Sequence, residues 1–235
     1  MNQFNNLYVI GTSHISKQSI EEIKEAFVKL KPDILAVELD RNRAIALTQE
    51  KQRRPSFYDL RKTGAKGFFF ALLGAWVSKK LGKIVGVSPG DEMKTAIKLA
   101  KQNKSQIALI DQNIAITLKR ISKFLSWKER WNFIVDIFSA LILRKKDPLL
   151  NFDLSKVPSK KLIKLMIGKV KQRYPNLHKV LIEERNYFMA RKLKKLMHLN
   201  QTKKILAVVG AGHEEDILKI LKDNQDITYT YTVTQ

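Results

Sequence analysis

Ile205-Leu206-Ala207-Val208-Val209-Gly210-Ala211-Gly212-His213 is the stretch that decides the fold of this 235-residue chain. Five apolar residues in a row, with no polar alternation, fit a strand buried on both faces, as strands of a parallel sheet are. The run ends in Gly-Ala-Gly-His. Glu214, Glu215 and Asp216 then open a helix, where carboxylates complement the positive end of the dipole, and Ile217, Leu218, Ile220 and Leu221 form its apolar stripe. Three more continuous apolar runs, at 7–10, 34–37 and 107–110, predict companion strands. A fifth run, at 227–233, alternates β-branched and aromatic residues and predicts an edge or half-exposed strand. Helices fill the intervals. Ile20, Ile23, Phe27 and Leu30 stripe 19–30, with Ser19 and Glu22 as a capping box and Lys31-Pro32-Asp33 as the stop. Met93, Ala96, Ile97 and Ala100 stripe 92–101, introduced by Ser88-Pro89-Gly90-Asp91. The β-α-β rhythm predicts an α/β fold with a mixed, largely parallel sheet.

In open parallel sheets, ligands gather at the carboxyl ends of the strands. Here those ends are polar: Gly11-Thr12-Ser13-His14, Glu38, Asp111, and Gly210-Ala211-Gly212-His213. Two of only 4 histidines hold equivalent Gly-x-x-His positions at the start of helices. A positive helix end favours neutral imidazole, the form that ligates metals. His14, Glu38 and His213 are therefore candidate ligands of a divalent metal ion with an open position. A hydrogen-bonded structural role is the alternative for each histidine taken alone. With 0 Cys, thiolate ligands, cysteine nucleophiles and disulfides are excluded.

Lys+Arg number 44 against 22 Asp+Glu, a formal net charge of +22. Residues 112–204 hold 23 of those cations and 6 of those acids, so most of the excess belongs to one region. The pattern predicts a single domain: an α/β frame of 1–111 and 205–235 with a large basic helical insertion at 112–204. Such a surface attracts nucleic acid, anionic lipid or acidic partners, or is simply solvated. No helix-turn-helix, RNA-recognition, zinc-finger or phosphate-cradling motif accompanies it, which ranks nucleic acid last. Within the region, Ile116, Thr117, Arg120, Ile121 and Phe124 share a stripe, and Trp131, Ile134, Val135, Phe138, Leu141 and Ile142 form the apolar side of 127–143. A helix over 177–197 places Glu184 where an apolar residue is expected, beside Arg185. A buried acid needs a metal or a partner, and an orienting Glu184–arginine salt bridge is the plainer alternative. Residues 64–81, rich in Phe and Leu between lysines, predict a helix that covers the sheet, forms an interface or lies on a membrane. The longest apolar run, 67–77, is shorter than the ~20 residues of a span. Residues 1–6 carry no charge and lead straight into a strand, so a cytoplasmic protein without signal peptide, at most peripheral to a membrane, is expected.

These motifs, in this order, resemble the TraB family, which includes pheromone-shutdown proteins and is related to the Tiki metallopeptidases. The resemblance covers nearly the whole chain. It rests on Gly11-Thr12-Ser13-His14-Ile15-Ser16, Val37-Glu38-Leu39-Asp40 with Arg43, Pro89-Gly90-x-Glu92-Met93, Ile110-Asp111 with Thr117-Leu118-Lys119-Arg120, Glu184-Arg185-Asn186, and Val209-Gly210-Ala211-Gly212-His213. It implies an erythromycin-esterase/ChaN-like fold and metal-dependent hydrolysis of a peptide or protein substrate. Carried onto this chain, His14, Glu38 and His213 hold the metal, Glu184 is a further ligand or the general base, and Arg120 or Arg185 stabilises the oxyanion. Arg43 and Asp111 lie beside them. Where the family commonly has Glu-Arg-Asp, this chain has Asn186 as the third residue. The alternative expectation is a non-catalytic module that sequesters a peptide or docks on an anionic membrane through the basic insertion. The oligomeric state is left open by both.

Overall fold

The computed structural model describes residues 1–12, 17–48, 90–142 and 160–223. His14, the 64–81 segment and the expected strand at 227–233 lie outside these residues. Among the described residues, five strands form one sheet in the order β1-β2-β5-β3-β4: β1 Asn2–Phe4, β2 Leu7–Thr12, β3 Ile34–Val37, β4 Gln106–Leu109 and β5 Ile205–Gly210. The pairs β2·β5, β5·β3 and β3·β4 are parallel, and β1 folds back antiparallel onto β2. The sequence pattern missed β1 because Asn2-Gln3-Phe4 is short and mostly polar.

β5 is central. Ile205 pairs with Leu7 on one side and Ile34 on the other, and all of β5 is buried. Its alternate side chains serve two cores. Ile205, Ala207 and Val209 meet Met189, Leu193 and Met197 of a helix at Glu184–Leu199 and Ile217 of one at Glu214–Lys222. Leu206 and Val208 meet Ile23 and Phe27 of α1, Lys17–Leu30, and Met93 and Ile97 of a helix at Asp91–Gln102. Helices on both faces explain why the run lacks alternation, and truncating Leu206 or Leu193 to alanine would cost about 2–5 kcal/mol.

After α1 come α2, Arg41–Thr48, and α3, the Asp91–Gln102 helix, entered through Gly90 at φ 92, a left-handed conformation that favours glycine. α1 already includes Ser19, which is buried in its first turns, so Ser19 is not the cap its sequence suggested. Between β4 and β5 the described residues form helices and no strand: α4 Ile114–Phe124, α5 Trp127–Ile142, α6 Lys160–Arg173, α7 Pro175–His178, a π-helical turn Lys179–Glu183, and α8 Glu184–Leu199. α9 is Glu214–Lys222. The π turn holds one residue more than an α-helical turn would and shifts the helical phase of α8 by roughly 100°. The buried stripe of α8 therefore runs Asn186, Met189, Ala190, Leu193 and Met197, and Glu184 leaves it for the margin. On α5, Trp131, Ile134 and Val135 of the apolar side face solvent. Among the described residues, no helix is long and apolar enough to cross a membrane.

Candidate active site

Parallel pairing carries the ends of β3, β4 and β5 to one edge of the sheet. The ladder runs past the strands: Glu38 N donates to the Val208 carbonyl at 3.1 Å and Asp111 N to the Leu39 carbonyl at 3.3 Å. Both carboxylates are buried, and the first turn of α8 lowers Arg185 between them. Arg185 Nε donates to both Asp111 oxygens at 3.2 Å, and Nη2 donates to Asp111 Oδ2 at 2.7 Å and to Glu38 Oε1. Nη1 donates to the Leu181 carbonyl and lies against His213 Nε2, each at 3.2 Å. All five N–H groups of the guanidinium are engaged. The other Glu38 oxygen accepts from Gly210 N at 2.5 Å.

A second arginine braces the same acid. Arg43 donates from Nη2 to Asp111 Oδ2 at 2.5 Å and from Nε to Asp40 Oδ2 at 2.7 Å. Asp40 is also the N-cap of α2, accepting from Asn42 N at 2.8 Å and Arg43 N at 3.2 Å. Burial alone would push the Asp111 carboxyl up, but Arg185 and Arg43 hold it below the ordinary carboxylate value. Burial likewise opposes the Arg185 cation, and Glu38 and Asp111 override it, raising its pKa. Three carboxylates, Glu38, Asp40 and Asp111, face Arg43 and Arg185, and Lys192 also acts on Asp111 and Asp40.

His213 is the N-cap residue of α9 and is buried. Its Nδ1 lies 2.5 Å from Asn186 Oδ1, and Asn186 Nδ2 donates to Asp216 Oδ2 at 3.1 Å. Asp216 thus orients the amide, Asn186 Oδ1 accepts from Nδ1–H, and the Nε2 lone pair faces the Arg185 Nη1 donor. Nε2 stands 3.4 Å from Glu38 Oε1. Gly11 completes the edge by its lack of a side chain: a Cβ there would fall 2.6 Å from Glu214 Oε2. A cleft of about 930 Å³ has Asn186, Tyr187 and Gly212 in its wall; His213, Glu38, Asp111 and Arg185 do not line it.

Of the residues singled out in sequence, Glu38, Asp111, Arg185, His213 and Arg43 converge. Glu184 and Arg120 form a separate pair, Arg120 Nε to Oε2 at 2.5 Å and Nη2 to Oε1 at 2.6 Å, which raises the Arg120 pKa. Sequence reasoning passed over Asp40, Asn186, Asp216 and Lys192. The first two sit inside quoted motifs, next to or two residues from a chosen residue, and that proximity was the available signal. Lys192 gave none; its Nζ donates to the Leu109 carbonyl at 3.0 Å, and burial lowers its pKa against the pull of Asp111 and Asp40.

The model of the TraB/PrgY/gumN family matches residues 2–232, which include every member of this cluster. The chain belongs to that family. The uncharacterized protein MJ1365 of Methanocaldococcus jannaschii is 38% identical over 224 residues, 92% of this chain and 53% of that protein. The TraB domain-containing proteins of Homo sapiens and Mus musculus are each 25% identical over 251 residues, 97% of this chain and 65% of theirs. The chain thus spans between about half and two-thirds of the length of these relatives. In this TraB/PrgY/gumN chain, Glu38 Oε1 and His213 Nε2 adjoin each other and both face Arg185, so a cation shared by the pair would have to displace the guanidinium from the imidazole. Among the described residues, no three or more His, Asp or Glu side chains form a metal-holding group.

Proposed function

We propose that this TraB/PrgY/gumN-family chain is a metal-dependent hydrolase acting on a peptide, with the carboxyl-edge cluster as its site. The Glu38–His213 pair supports the reading: a carboxylate oxygen and an imidazole nitrogen 3.4 Å apart are donor types a divalent cation takes, once the Arg185 guanidinium that faces both has moved off the imidazole. His14, at the position equivalent to His213 after the neighbouring strand β2, is the third ligand. When bound, such a cation lowers the pKa of water and polarises a carbonyl.

The chain's own side chains have distinct parts in this scheme. Asn186 and Asp216 keep His213 in the ligating tautomer. Arg185 positions Glu38 and Asp111 rather than reaching for substrate. Glu184, half of an ion pair at the margin of the described cluster, acts as general base only on parting from Arg120. The cleft wall holds Glu22, Glu183, Glu214, Glu215, Asp216 and Asp223 against Lys164, Lys171 and Lys219, which favours peptides of positive charge.

The test is metal content by plasma mass spectrometry together with cleavage of a peptide library, for the full chain and for Glu38→Gln and His213→Ala. Stoichiometric divalent metal and cleavage, both lost in the variants while circular dichroism is unchanged, are expected. Metal content undiminished in both variants, or cleavage by metal-free protein, would remove the reading.

A further inference from the structure

α5 wears its apolar side outward, and its anchors explain why. Ser126 and Glu129 form a capping box: Glu129 N donates to Ser126 Oγ at 3.2 Å, and Glu129 Oε2 accepts from Ser126 N at 2.8 Å. The same carboxylate, 1% exposed, accepts from Asn176 N at 2.7 Å and Leu177 N at 3.2 Å, which pins α5 to α7. Two turns on and on nearly the same face, Asp136 accepts from Arg173 Nε at 2.7 Å and the Tyr174 hydroxyl at 2.5 Å. These are the two acids of residues 114–142, and both are engaged with the segment 173–177. Positions two residues from Glu129 lie on the opposite side of a helix. Trp127 and Trp131 stand there, 82% and 66% exposed, continued by Ile134 and Val135 at 48% and 39%. α4 adds exposed Ile116 and Phe124. Lys119, Lys123 and Lys128 on these helices are exposed too. Arg130 lies 5.0 Å over the Trp127 ring and Lys123 5.6 Å over Phe124, so cations sit level with the aromatic faces.

We propose that this face of α4 and α5 docks on the headgroup–acyl boundary of an anionic membrane. Charge chooses among occupants. The face has cations and no outward acid, and a second copy of a chain of +22 would bring the same sign against it. The aliphatic members separate lipid from nucleic acid. Ile116, Ile134 and Val135 contribute nothing to stacked bases or phosphates, but bury into acyl chains while Trp and Lys occupy the interface. This role is independent of the hydrolytic site.

The experiment is sedimentation of the full chain with phosphatidylcholine vesicles with and without phosphatidylserine, for the wild type, Trp127→Ser/Trp131→Ser and Lys123→Glu/Lys128→Glu. The wild type should bind the anionic vesicles, salt-sensitively, and neutral ones far more weakly. Both double variants should weaken binding, the lysine variant at least about tenfold, since each interfacial cation is worth roughly fivefold. Unchanged melting is expected because the altered side chains are exposed, and if the tryptophan variant misfolds, the lysine variant decides. No vesicle binding by the wild type, or binding equal in all folded variants, overturns the proposal. So does tryptophan-dependent binding of single-stranded nucleic acid, or tryptophan-dependent dimerisation, without vesicle binding.

Discussion

Replacing Arg185 with leucine keeps a side chain of helical preference while removing every donor from the centre of the carboxyl-edge cluster. Asp111 retains Arg43, and Glu38 retains the Gly210 N–H, so the damage falls mainly on one buried carboxylate losing its only described arginine partner. Breaking a buried ion pair costs about 3–5 kcal/mol, and the surviving bonds place this case near the lower end, at about 3 kcal/mol. For a domain of this size the loss lowers Tm by about 6–12 °C. Arg120→Leu is the control. Its side chain is 41% exposed and that of Glu184 22%, and a solvated pair of that kind contributes about 1 kcal/mol or less. The assay is urea unfolding followed by circular dichroism at neutral pH and again in acid. The cost of Arg185→Leu should shrink in acid as the stranded carboxylates take protons. Arg185→Lys should recover only part of the loss, because one ammonium cannot span Asp111, Glu38 and Leu181. Arg185→Leu within about 1 kcal/mol of wild type, or Arg120→Leu equally costly, would refute the reasoning.

Three further outcomes are expected. Asn186→Leu, which removes the acceptor for His213 Nδ1, should weaken divalent-metal affinity about 10–100-fold by isothermal titration while leaving the melting curve two-state. Asp111, its pKa depressed in the folded state, contributes stability that is complete above the ordinary value of 3.8 and vanishes as pH falls through the folded-state value; Asp111→Asn should therefore flatten the acid limb of a stability–pH profile. Gly11→Ala pushes a methyl against Glu214 Oε2 and should destabilise by about 1–3 kcal/mol in urea unfolding, relieved when combined with Glu214→Ala.

The parts of the fold legible in sequence are those in which burial leaves no choice of residue. β2, β3, β4 and β5 showed as apolar runs because the sheet is covered on both faces, and the polar residues at their ends marked the site edge. β1 was illegible because a three-residue edge strand needs no apolar run. Glu184 drew attention because a regular helix was assumed through 177–197; the π turn at Lys179–Glu183 passes the buried phase to Arg185 and Asn186, and periodicity carries no mark of such an insertion. The apolar residues of α5 were legible as a stripe but not in direction. Glu129 and Asp136 set that direction through partners some forty residues away in sequence. Pairings of this range, Arg185 with Glu38 among them, depend on topology that a single sequence does not state.

The central claim is that Glu38 and His213 share a divalent cation. Crystals of the full chain grown with manganese and measured at the metal's absorption edge test it most directly. An anomalous peak between Glu38 Oε1 and His213 Nε2 is expected. A map without density there, from protein that still cleaves peptide, would contradict it.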